Sequence, residues 1–224
     1  MIRAGVGYSQ SPDSFTAARE ASVQAMDQAG TDKADWVLVF CTFPHRANYE
    51  QVIKIVGKIT RTSNLCGCSA IGVLSSRGEA EASPGITVLA VTSDEISARS
   101  FMVHQMEEAG RKAGEEIGGL FKPLPDGDKL VALMPDPFHV HPELLLMGVK
   151  SKTGPLDIVG ASASEDPRIN DTFGFHNNTV ASEAIPGVFL QGDFSYTVGI
   201  TQGCKLIGSP VVVTKANKNV IVEL

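Results

Sequence analysis

Aromatic residues make up only 6% of this 224-residue chain, and Lys and Arg (19) are outnumbered by Asp and Glu (25), for a formal charge of −6. A surface that binds nucleic acid needs clustered cations and stacking rings, so nucleic acid is not an expected partner. No stretch approaches the length of a membrane span, and the amino-terminal MIRAGVGYSQSPD lacks the apolar core of a signal peptide. The four cysteines fall in no disulfide-framework spacing. A cytoplasmic protein with reduced thiols and no membrane contact is therefore expected. The G-x-G-x-x-G and Walker patterns of nucleotide sites are missing, and so is the G-x-S-x-G of a serine nucleophile elbow. No C-x-x-C or H-x-x-x-H pair occurs. Neither a cofactor nor a metal is expected.

What the chain does have is an internal echo. Residues 35–70 and 128–163 align without a gap at an offset of 93. Asp35/Asp128, Pro44/Pro137, Glu50/Glu143, Val56/Val149, Thr60/Thr153, Gly67/Gly160, Ser69/Ser162 and Ala70/Ala163 are identical, and the apolar positions follow one pattern. Farther on, EASPG at 81–85 answers EAIPG at 183–187, after nine extra residues in the second copy. These matches read as an internal repeat. Each copy alternates a short apolar run (Trp36–Cys41; Leu130–Met134) with a helical pattern that starts behind Asn48 or at Pro142. A strand into G-x-S-A follows, then a hairpin region and a strand opening at a Pro-Gly pair. Strands at Ala4–Ser9 and Ile96–Val103 and helices at Ser14–Ala29 and Met106–Phe121 precede the two copies. The predicted fold is α/β with mixed sheets, made of duplicated β-α-β-α-β-hairpin units packed in layers.

The candidate chemistry lies at the strand ends. Cys66 and Cys68 stand on an extended segment and are expected on opposite faces; they align with Val159 and Ala161, so the thiols read as small apolar fillers. Ser69 and Ser162 recur with their glycines, which suits a pocket wall beyond the carboxyl ends of strands. The matching loops FCTFPHR (40–46) and PDPFHVH (135–141) offer His45, Arg46, Asp136 and His139. Arg46 would grip a carboxylate and Asp136 would accept from an amine. The segment SEDPRINDTFGFHNN (164–178) holds the extra residues, among them Ser164, Glu165, Asp166, Arg168 and His176, and suggests a function added to the second copy.

With GCSAIG, PGITVLAV and the carboxy-terminal FSYTVGITQGCKLIGSPVVVTKANKNVIVEL in view, the chain resembles the FIST family of sensory domains. The resemblance implies a first repeat over 1–94, a second over 95–204, and over 205–224 the start of a carboxy-terminal region that is expected to continue beyond it. It also implies a cytoplasmic small-molecule sensor of signal transduction, with an amino acid or related metabolite as ligand and with signalling proteins as partners. Cys68, Ser69, Ser162, Ser164, His45, Arg46, Asp136, His139 and Arg168 are the expected ligand-binding residues. No catalytic residue is assigned. Two alternatives stay open: a Ser/Cys-dependent hydrolase or transferase, and a protein-interaction scaffold without a small-molecule site.

Overall fold

A computed structural model describes residues 1–104, 107–200, 204–218 and 220–224. Its first half runs β1 (Ile2–Ser9), α1 (Ser14–Ala29), β2 (Trp36–Thr42), a 3-10 turn (Phe43–Asn48), α2 (Tyr49–Thr60), β3 (Leu65–Ala70), the hairpin β4 (Gly72–Ser75) and β5 (Gly78–Glu81), and β6 (Ile86–Ser93). The second half runs β7 (Ile96–Val103), α3 (Arg111–Leu120), β8 (Asp128–Leu133), α4 (Pro142–Thr153), β9 (Asp157–Gly160), the hairpin β10 (Gly174–His176) and β11 (Thr179–Ala181), and β12 (Ile185–Gly192). The hairpin β13 (Lys215–Asn217) and β14 (Val220–Glu223) follows, exposed along its described length.

One sheet has the order β1-β6-β2-β3-β10-β11 and the other β7-β12-β8-β9. In each, the first three strands are antiparallel and the next is added in parallel, β3 on β2 and β9 on β8. The mixed α/β fold predicted from the sequence is thus present, and both halves share one strand order. The hairpin β10–β11, although it belongs to the second half, joins the first sheet by pairing Gly174–His176 with Cys68–Cys66.

Alternation along the strands sorts side chains into layers. Val37, Val39, Cys41 and Leu65 pack under α1 and α2, while Val131, Leu133, Ile185 and Phe189 pack under α3 and α4. Between the sheets lie Trp36, Cys66, Cys68, Val91, Val188 and Leu190. The result is four layers, helices outside and sheets face to face. Cys66 and Cys68 therefore share the inter-sheet face, because residues two apart on a strand point the same way; this corrects the expectation of opposite faces. The helix predicted over Met106–Phe121 is split: a 3-10 turn (Glu107–Gly110) precedes α3, with Gly110 at φ +91° where they join. Met106 lies outside the described residues.

Candidate functional site

Both sheets carry a parallel pair whose carboxyl ends lead into the loops singled out above. The glycine of G-x-S-A is fixed by packing. A Cβ on Gly67 would lie 1.8 Å from the Val39 carbonyl oxygen, and one on Gly160 would lie 1.9 Å from that of Leu133. The recurring glycine lets neighbouring strands approach, which is a structural duty independent of any ligand.

Ser69, fully buried, is where the two halves are tied together. Its hydroxyl donates to the Ser164 carbonyl (2.8 Å) and accepts from the Phe173 N–H (3.0 Å). Its backbone N–H donates to Phe173 O (2.8 Å), and its carbonyl accepts from Ser164 N–H (3.2 Å). The Ser164 hydroxyl in turn accepts from the Ile71 N–H at 3.0 Å. The segment 165–172, from the part of the second copy that holds the extra residues, thus begins and ends on one residue of β3, the geometry of an Ω-loop. Ser69 is its anchor, its hydroxyl proton given to one backbone carbonyl and a lone pair taken by one backbone N–H.

Beneath this loop Glu165 is only 6% exposed. Its Oε2 accepts from the Tyr49 hydroxyl at 2.9 Å, and its Oε1 is buried with no hydrogen-bond partner. Burial pushes the Glu165 carboxyl above the usual carboxylate range, against the opposing pull of Tyr49, Ser69, the Asp166 N–H and the Arg46 charge. Burial and the nearby Glu165 charge push the Cys41 thiol up. Tyr49 packs edge-on against Phe175 and tilted against Phe173, with centroids 5.1 and 5.7 Å apart. The exposed Arg46 guanidinium sits 4.9 Å over the Phe173 ring. Among the described residues no carboxylate closes an ion pair with it. His45, fully buried, contacts the Ser14 hydroxyl through Nδ1 (3.0 Å), while its Nε2 has no partner; burial lowers its pKa. Arg168 is committed elsewhere: its Nε reaches both Asp166 oxygens, at 2.8 and 3.0 Å, on the exposed outside of the loop.

The second strand end gathers a different group. Asp136, 1% exposed, accepts from the Phe138 N–H (2.8 Å) and contacts His139 Nδ1 (2.9 Å). His139 Nε2 faces Glu183 at 3.8 Å, and the hydrogen bond to Asp136 raises the His139 pKa. Ser162 is exposed and lines a cavity of about 280 Å³ with Leu133, Pro135, Leu145 and Gly160. Another cavity, of about 500 Å³, opens between the halves at Asp35, Asn64, Asp94, Glu95 and Gln191; none of the residues expected from the sequence lines it. Cys68 lies in the inter-sheet layer with its thiol pushed up to about 12 by burial, its side chain packed in the same cluster as Met134 and Ala163. Tyr49 and Phe173, central to the first cluster, carried no functional signal in the sequence. Glu165 was flagged only by lying in the extended loop.

The description FIST N domain matches residues 35–224. The chain belongs to the FIST family. Its domains serve sensing and signalling, and this FIST chain is 30% identical over 227 residues to an uncharacterized protein of Mycobacterium tuberculosis. It is 29% identical over 223 residues to an uncharacterized protein of Mycobacterium bovis. Each alignment covers 100% of this chain and 56% of the relative, so the chain spans about half the length of the curated relatives it matches. Among solved structures, the cyanuric acid hydrolase from A. caulinodans superimposes with a TM-score of 0.43 at 9% identity, over 86% of this chain and 72% of that one. No helix among the described residues is long and apolar enough to cross a membrane.

Proposed function

We propose that this FIST domain is a small-molecule sensor of signal transduction whose ligand, an amino acid or a close relative of one, binds at the carboxyl ends of β2 and β3 under the loop 165–172. The observation that carries this reading is Arg46, whose guanidinium is seated on Phe173 yet has no ion pair among the described residues. A planar fork held in place at a strand end is suited to a ligand carboxylate. Ser69 and Ser164 serve as anchors of the loop, and His45 supports the turn that carries Arg46. Asp136, His139 and Ser162 belong to the other strand end, and Cys68 to the core. The shared strand order also supports a duplicated origin, with the sensing loop elaborated in one copy.

Thermal unfolding in the presence of millimolar amino acids tests the reading. A ligand at 100 times its dissociation constant stabilises by about 2.7 kcal/mol. At least one amino acid is expected to raise Tm by several degrees, and Arg46→Ala to abolish that shift. No shift across the panel would sink the proposal.

A further inference from the structure

The Glu165 carboxylate is half satisfied. Tyr49 closes one oxygen at 2.9 Å, and the other is shut away from solvent without a hydrogen bond of its own, although Ser69 and the Asp166 N–H also act on the carboxyl. A buried acceptor left without a donor is costly, and more so when it is charged. Proteins retain such a group where something else completes it. The position is also defined: Glu165 immediately follows Ser164, whose N–H, carbonyl and hydroxyl are all bonded to residues 69–71.

Two neighbours indicate what would complete it. Phe173 packs against the Tyr49 ring and carries Arg46, so two aromatic residues, Tyr49 and Phe173, link the half-satisfied acid to a guanidinium with no ion pair among the described residues. An anion receptor and a cation receptor thereby adjoin the same aromatic pair. From this we infer that Glu165 is the receptor for the ligand's ammonium group: its Oε1 accepts an N–H of a primary amine while Arg46 holds the carboxylate of the same molecule. The ligand class is then an α-amino acid or another small zwitterion, and simple carboxylates are discriminated against. This assignment rests on the sensor reading above and names the residue that selects within it.

Matched pairs of probes test it by calorimetry on the full chain: leucine with 4-methylpentanoate, phenylalanine with 3-phenylpropanoate, and glutamate with glutarate. Wild type is expected to bind at least one amino acid tenfold or more tightly than its des-amino partner. Glu165→Gln, which keeps shape and loses charge, should bring the two affinities within about threefold while leaving carboxylate binding in place. Glu165→Asp, which keeps the charge and shortens the reach, should give an intermediate ratio. The inference is overturned if wild type binds both members of every pair equally, a result that needs no variant to fold. It is also overturned if Glu165→Gln retains the tenfold preference, an outcome that leaves the sensor reading intact. Absence of binding by wild type to any probe removes both.

Discussion

At the end of β3 the geometry shared by the two sheets is roofed over: β10 pairs along the strand, the loop 165–172 closes on Ser69, and Glu165 is buried there. At the end of β9 the same glycine and serine stand at an uncovered corner, with Ser162 exposed beside a cavity and Gly160 bonded through its strand to β8 alone. Equal strand frames therefore carry unequal chemistry. The shared residues explain the frame, and what distinguishes the ends is the chain laid over them. The sharpest test is on the shared glycine. Gly67→Ala drives a Cβ into the Val39 carbonyl inside a strand held on both sides, and is expected to lower stability by roughly 3 kcal/mol or to prevent folding. Gly160→Ala meets a similar contact on an edge strand that can yield, but a Cβ there is also strained by φ +144°, so it should cost about as much in urea denaturation. A much smaller cost at Gly160 would show that the edge strand absorbs both the contact and the strain.

The serines should separate the two ends where the glycines do not. Ser69→Ala removes the donor to Ser164 O and the acceptor for the Phe173 N–H in a buried site, for a loss of about 2 kcal/mol. Limited proteolysis should then cut within 165–172. Ser162→Ala, at an exposed position, should stay within about 0.5 kcal/mol of wild type. A Ser69→Ala protein that is as stable and as protease-resistant as wild type would mean that the loop is held by other contacts.

Much of this frame is legible in the sequence. The apolar runs and helical spacings locate the α/β elements, and the offset of 93 brings out the matched loops. The cover is another matter. Periodicity describes how a segment packs locally, whereas β10 reaches β3 across about a hundred residues, and a three-residue strand such as Gly174–His176 carries too little pattern to announce its partner. Tyr49 reads as one more apolar residue on a helix, since its hydroxyl is meaningful only once Glu165 arrives beside it. Alignment with Val159 and Ala161 marks the thiols of Cys66 and Cys68 as fillers, and the inter-sheet layer gives the physical form of that role.

Glu165 also makes the first strand end sensitive to pH. Because burial raises its pKa in the folded chain, the protonated form is favoured by folding. As pH rises above the ordinary glutamate range, the unfolded chain releases its proton first, and stability falls until the folded group has titrated too. Glu165→Gln removes this dependence. The variant is expected to gain about 1 kcal/mol on wild type at pH 8 and little at pH 4, measured by urea denaturation in ligand-free buffer. A constant difference across that range would show that Glu165 is not the titrating group.

The smallest effect comes from the histidines, which the two ends shift in opposite directions. His45 is lowered by burial, so its folded form resists protonation, and stability is lost as pH falls through the ordinary histidine range. His139 is raised, chiefly by its hydrogen bond to Asp136. Its stabilisation is fully present below the unfolded pKa and disappears as pH rises through the folded one. At 38% exposure, solvent screens the His139 pair, so His139→Asn should cost about 0.5 kcal/mol at pH 5.5 and almost nothing at pH 9. Imidazole NMR titration separates the two directly: His139 should titrate above, and His45 below, a histidine in an unfolded peptide. Identical midpoints would mean that the covered and uncovered ends present the same environment to a charge, and the contrast between them would then be one of shape alone.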